Sequence, residues 1–154
     1  MTTLEAGQAA PEFNGQIQDG SEVSLSDYKG NKLILYFYPK DDTPGCTKEA
    51  CSLRDGFDVL KDQGFKILGV SPDNLKKHNK FIDKYNLPFD LLADEDKSTM
   101  QAYEVWGPKK FMGREYEGVH RTTFVIDEEG NIEHVVKKVK TKDHAQQILD
   151  LYED

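Results

Sequence analysis

Cysteine is nearly absent from this chain of 154 residues, which has only Cys46 and Cys51. Two thiols cannot staple a domain of this length, so the fold must rest on an apolar core, which such a chain can bury as one domain over residues 1–154. Long apolar runs are missing too. The longest, Leu33 to Tyr38, is too short to cross a bilayer. The opening Met1-Thr2-Thr3-Leu4-Glu5-Ala6-Gly7 has neither the basic nor the apolar stretch of a secretory signal. Positive charge is outnumbered, 20 basic against 28 acidic residues for a net charge of -8, which argues against nucleic acid and anionic membrane as partners. A small neutral substrate or a protein partner fits better. The cytoplasm is the expected location, a reducing compartment where a thiol pair serves redox chemistry rather than cross-linking. The four histidines, His78, His120, His134 and His144, show no metal-ligand spacing, so no metal site is expected.

Hydrophobic patterning gives the order of elements. Ile17 to Leu25 places Asp19-Gly20 between short alternating stretches, the pattern of a tight hairpin. Lys32 to Tyr38 is a strand covered on both faces. From Pro44 to about Gln63, Cys46, Ala50, Leu53, Phe57 and Leu60 recur at helical spacing, with Thr43 as N-cap, Pro44 at the first position and Gly64 after the end. Phe65 to Val70 is a second strand, and Leu75 to Tyr85 a second helix ended by Asn86. This β-α-β-α order implies parallel strands with right-handed crossovers. Leu91 to Ala93 adds a short strand, and Ser98 to Tyr103 a short helix capped by Ser98. Val105 to His120 has no clear period and is expected to form an ordered loop or irregular hairpin arm. Thr122 to Ile126 and Ile132 to Val139 pair as antiparallel strands, and Thr141 caps a last helix running to about Tyr152.

The two cysteines lie where the first strand gives way to the first helix. Free N–H groups and the positive dipole end of a helix N-terminus favour a thiolate, making Cys46 a candidate nucleophile and Cys51 its partner. At i and i+5 on a regular helix their Cα atoms are about 8.6 Å apart, beyond the roughly 7 Å that a disulfide spans. The helix must therefore unwind locally before they bond. The thioredoxin spacing C-x-x-C closes within one turn, and the wider spacing here suits different chemistry. Cys46 reacts first with a small oxidant, passes through a sulfenic acid, and is then captured by Cys51. A thiolate that breaks an O–O bond needs donors for the departing oxygen. The Thr43 hydroxyl and the N–H groups of Gly45 and Cys46 are candidates, and Arg121 is a candidate cation at the same end of the sheet.

Pro39-x-x-x-Thr43-x-x-Cys46 resembles the active-site motif of the peroxiredoxins, thiol peroxidases with a thioredoxin-like fold. The Lys32 to Asp55 stretch, with Cys51-x-x-Arg54-Asp55, is similar to the bacterioferritin comigratory protein or Q-type subfamily. So are Val105-Trp106-Gly107, Lys110-Phe111-Met112-Gly113, Gly118 to Asp127 and the early Ala10-Pro11-Glu12-Phe13, so the resemblance covers almost the whole chain. It implies a central mixed sheet flanked by helices, with an N-terminal β-hairpin. It also implies Cys46 as the peroxidatic and Cys51 as the resolving cysteine, with Thr43 and Arg121 polarising the peroxide, Pro39 shielding the thiolate and Glu49 orienting the arginine.

The expected activity is reduction of hydrogen peroxide and organic hydroperoxides through an intrachain Cys46–Cys51 disulfide, recycled by thioredoxin or a similar dithiol donor. No cofactor is expected. A monomer suffices, with a weak homodimer as the alternative. Two other classes stay open: a general dithiol-disulfide oxidoreductase, and a peroxide-sensing redox switch without turnover.

Overall fold

A computed structural model describes residues 2–153. In chain order the strands are β1 (Asn14–Ile17), β2 (Glu22–Ser24), β3 (Lys32–Phe37), β4 (Phe65–Ser71), β5 (Asp90–Ala93), β6 (Trp106–Phe111), β7 (Arg114–Val119), β8 (Thr122–Ile126) and β9 (Ile132–Val136). The α-helices are α1 (Pro44–Asp55), α2 (Phe57–Asp62), α3 (Leu75–Tyr85), α4 (Ser98–Ala102) and α5 (His144–Asp150). Seven strands form one mixed sheet in the order β2-β1-β5-β4-β3-β8-β9. β3, β4 and β5 run parallel, as the alternation of strands and helices requires, while β8 joins β3 antiparallel with Leu33 opposite Ile126 and Phe37 opposite Thr122. The expected sheet, flanking helices and N-terminal hairpin are all present.

β3 explains its own unbroken apolar sequence. Side chains alternate across a strand, so Leu33, Leu35 and Phe37 enter one core with Leu68, Val70, Tyr103 and Phe124, while Ile34, Tyr36 and Tyr38 enter a second with Cys46, Leu53, Phe81 and Ile148. From Leu33 to Tyr38 no side chain is accessible. Cys46 is thus part of a packed core, held by the helix that follows β3, an interior strand of the sheet.

The long helix expected over residues 44–63 is divided. Gly56, with φ -94° and ψ 6°, separates α1 from α2. A methyl group at Gly56 would lie 2.6 Å from the Ala145 Cβ, so the glycine is where α5 crosses α1 closely. The apolar spacing continues through the break, which hides it from periodicity. Two caps also differ from expectation. Asp94, not Ser98, accepts the Thr99 and Met100 N–H groups at the start of α4 (3.1 and 2.9 Å), because Ser98 is already the first helical residue. Thr141 begins a short 3-10 turn before α5 rather than capping it. Residues 105–120 form a regular hairpin of β6 and β7, in register from Trp106–Val119 to Phe111–Arg114. Its two-residue turn, Met112-Gly113, has φ +51° and +79°, the twist that tight hairpins favour.

Gly56→Ala should cost about 1–3 kcal/mol in urea unfolding, because the added methyl overpacks the α1–α5 crossing. Combining it with Ala145→Gly should cost less than the sum of the two single changes, a coupling that the double-mutant cycle measures.

Candidate active site

The strand order brings the site together. β3 ends at Phe37, opposite Thr122 at the start of β8, so the loop leading into α1 and the residue preceding β8 share one edge of the sheet. Thr43 has the extended backbone of an N-cap (φ -100°, ψ 157°), Pro44 occupies the first turn, and the Thr47 N–H closes that turn on the Thr43 carbonyl at 2.8 Å. Cys46 lies in this turn, where helix geometry leaves N–H groups without intrahelical acceptors. It is 1 % exposed.

Arg121 spans two buried groups of α1. Its Nη2 donates to Cys46 Sγ at 3.2 Å and its Nη1 to Glu49 Oε1 at 2.6 Å. Cys46 and Glu49 are three residues apart, one turn along the same helix face, which is the spacing a guanidinium fork can straddle. Gly45 makes the approach open: a Cβ there would stand 3.2 Å from Arg121 Nη2. The fully buried Glu49 has its carboxyl pushed up to about 7, because burial penalises the charged form more than Arg121 stabilises it.

Of the seven site residues expected from sequence, Cys46, Gly45, Glu49 and Arg121 converge directly. Cys51 is half-buried further along α1, and both cysteines are free thiols. Pro39, half-buried, follows β3 at the same sheet edge. Thr43 departs from the expectation of a hydroxyl donor. Its O–H is given to the Lys40 carbonyl at 2.8 Å, which leaves its oxygen as an acceptor. His120 is committed to the Pro108 carbonyl (2.9 Å). Lys109 of β6 is a neighbour that sequence patterning missed; burial and Arg121 lower its ammonium below the usual range, while Cys46 acts in the opposite direction.

The loop before α1 is anchored to α3. Asp41 is buried and accepts from the Tyr38 hydroxyl, while its other oxygen lies 2.6 Å from His78 Nδ1. His78 Nε2 meets the Leu92 carbonyl at 3.0 Å and must carry a hydrogen there, since a carbonyl only accepts. The Asp41 N–H donates to Asp73 at 2.7 Å. Outside this cluster, Asp42 takes hydrogen bonds from Lys84 and Tyr85, both at 2.8 Å, which hold its carboxyl below the ordinary value. His78 lies in the apolar stripe Leu75, Phe81, Ile82 and Tyr85 of α3, the one sequence sign of its burial. Among the described residues no His/Cys/Asp/Glu cluster suits a metal ion, and no helix is long and apolar enough to cross a membrane.

A family profile described as AhpC/TSA matches residues 6–135. The chain belongs to the AhpC/TSA family. Within it, the chain is 48% identical over 152 residues to peroxiredoxin Bcp of Bacillus subtilis, covering 99% of this chain and 97% of that protein. It is 47% identical over 150 residues to peroxiredoxin Bcp of Escherichia coli K12, covering 97% and 96%. Among solved structures, peroxiredoxin Q of Xanthomonas campestris superposes with a TM-score of 0.87 at 34% identity over 97% of this chain and 95% of that one. A PrxQ mutant of Xylella fastidiosa gives 0.91 at 28% identity over 98% and 96%. The resemblance to Q-type peroxiredoxins and their thioredoxin-like fold therefore holds across the chain.

In this member of the AhpC/TSA family, His78→Leu would leave the Asp41 carboxylate buried without its partner. A loss of about 3 kcal/mol or more is expected in chemical denaturation.

Proposed function

We propose that the protein is a thiol-dependent peroxidase in which Cys46 attacks hydroperoxides and Cys51 resolves the product. The observation that carries this reading is the 3.2 Å contact of Arg121 Nη2 with a cysteine sulfur at a helix N-terminus. Arg121 and the first-turn N–H groups stabilise negative charge on sulfur and, as the O–O bond breaks, on the departing oxygen. The Cys46 thiolate bonds to one peroxide oxygen. The other leaves with the bonding pair and is protonated to water or an alcohol, and Cys46 becomes a sulfenic acid. Thr43, whose O–H donates to the Lys40 carbonyl, offers its oxygen as an acceptor for a peroxide O–H, while Pro39 and the buried Tyr36 and Tyr38 limit water.

Cys51 then attacks the sulfenic sulfur, water departs, and a Cys46–Cys51 disulfide forms. The pair shares the unbroken helix α1, so this step requires the helix to open between them. A dithiol of the thioredoxin type returns both thiols and leaves as its own disulfide. Hydrogen peroxide and organic hydroperoxides are the substrates, and family membership supports the thioredoxin-type reductant. Both thiols lie on one chain, which supports a working monomer, and a chain with just this thiol pair suits a reducing compartment such as the cytoplasm.

Peroxide consumption coupled to a thioredoxin recycling system tests the reading. Cys46→Ser should abolish turnover, and Arg121→Ala should slow oxidation by roughly a hundredfold or more. Cys51→Ser should keep one fast oxidation and lose recycling. Full turnover by Cys46→Ser would refute the peroxidase assignment, and efficient reduction of insulin disulfides with sluggish peroxide reactivity would move the protein to the general oxidoreductases.

A further inference from the structure

Behind Arg121 lies a buried group that the peroxidase reading leaves unused. His144, the first residue of α5, has no accessible surface. Its Nδ1 is 2.9 Å from Gln147 Oε1. The Gln147 amide is fixed by two backbone partners: its Nε2 donates to the Lys138 carbonyl and its Oε1 accepts from the Lys140 N–H, both at 2.9 Å. An oxygen therefore faces Nδ1, so Nδ1 carries the hydrogen and Nε2 of the neutral ring is bare. That bare nitrogen accepts the Thr123 hydroxyl at 2.8 Å and stands 3.5 Å from Glu49 Oε2. Glu49 Oε2 is buried and has no hydrogen-bond partner.

The one lone pair of Nε2 faces both the Thr123 hydroxyl and a buried carboxyl oxygen without a donor, so a hydrogen on Glu49 Oε2 competes with Thr123 for it. We propose that His144 is a positioning residue: its Nε2 accepts a hydrogen bond from protonated Glu49, so that Glu49 stays neutral and leaves the Arg121 charge to the Cys46 thiolate. The inference rests on the peroxidase reading of Cys46. With Glu49 ionised, two anions on one helix face compete for one guanidinium in a site closed to water. With Glu49 protonated, its Oε1 still accepts from Arg121 Nη1, so the fork keeps its aim while its charge faces sulfur.

The titratable and charged neighbours are consistent with this. Cys46 faces Glu49 from the same helix, Arg121 from the start of β8, Tyr36 from β3 and His144 from α5, with Lys109 of β6 beyond Arg121. Burial holds Tyr36 uncharged, its hydroxyl pushed well above its ordinary value, with the Glu49 charge next in effect. His144 is lowered to about 4, first by burial and also by Arg121, so it is neutral across the working range. Glu49, at about 7, exchanges its proton within that range.

The test is a pH titration of the Glu49 carboxyl, followed by carbon NMR of the labelled side chain in the full-length reduced protein. His144→Leu removes the acceptor of the neutral acid, and the midpoint should fall by about one pH unit. Thr123→Val removes the hydroxyl that competes for Nε2, and the midpoint should rise by about half a unit. Nitrogen NMR of His144 should show the Nδ1–H tautomer. At pH 7 the His144→Leu variant should oxidise roughly threefold to tenfold more slowly, since more Glu49 is ionised. A packing role alone would change the rate without moving the midpoint. Midpoints unmoved in both variants, or the Nε2–H tautomer, would overturn the proposal. Because the carboxyl is read directly, a protein that titrates as described but reacts slowly with peroxide would refute the peroxidase reading and not this pair.

Discussion

One guanidinium serving two buried groups is the constraint on which the rest of this structure depends. Arg121 can touch Cys46 and Glu49 together only because those residues are one turn apart on α1, and because α1 begins where β8 begins. The second condition comes from the antiparallel pairing of β3 with β8. Were β8 parallel to β3, Arg121 would lie at the opposite edge, a full strand length from the cysteine. Covering β3 on both faces is therefore more than core formation, since it holds the register that aims the arginine.

The same contact governs how the helix can open. Glu49 lies between Cys46 and Cys51, so the segment proposed to unwind contains the residue that is buried beside Arg121. On the proposed cycle a neutral sulfenic acid would give Arg121 less to hold than a thiolate, so oxidation at sulfur would loosen one side of the fork. The ends of the segment stay fastened. Asp41 and Asp42 tie the preceding loop to α3, and Arg54 Nη1 donates to the Tyr85 carbonyl at 2.8 Å. Gly56 packs against Ala145 just beyond. Opening is thereby bracketed to the turns that carry the two thiols.

Much of this was legible in the sequence wherever one segment carried its own signal. α3 runs from Leu75 to Tyr85, with the Asn74 side chain accepting at its start and Asn86 left-handed at its end, and β8 covers Thr122–Ile126 as its apolar run suggests. The helix-start setting of Cys46 was equally plain. Gly56 was not, because apolar spacing runs through it and its reason is a contact with a residue in another helix. The β6–β7 hairpin was obscure because both its faces are largely exposed, so no alternation marks it. The partnership of Glu49 with His144 and Thr123 depends on three elements meeting around the sheet, and no local pattern encodes it.

The two buried acid–histidine pairs differ in their supply of hydrogens, and that difference separates their roles. Asp41 and His78 Nδ1 stand 2.6 Å apart, close enough to share one proton, with the Tyr38 hydroxyl donating to the other Asp41 oxygen and the His78 Nε2–H to the Leu92 carbonyl. Every position is filled, which makes the pair an anchor. His144 has its Nδ1 hydrogen committed to Gln147 and shares a bare Nε2 with Thr123, while Glu49 Oε2 has nothing to accept. That pair is one hydrogen short of complete. A buried site with a place for one more proton responds to the charge next to it, and here the neighbouring charge is the Arg121 guanidinium that also contacts Cys46.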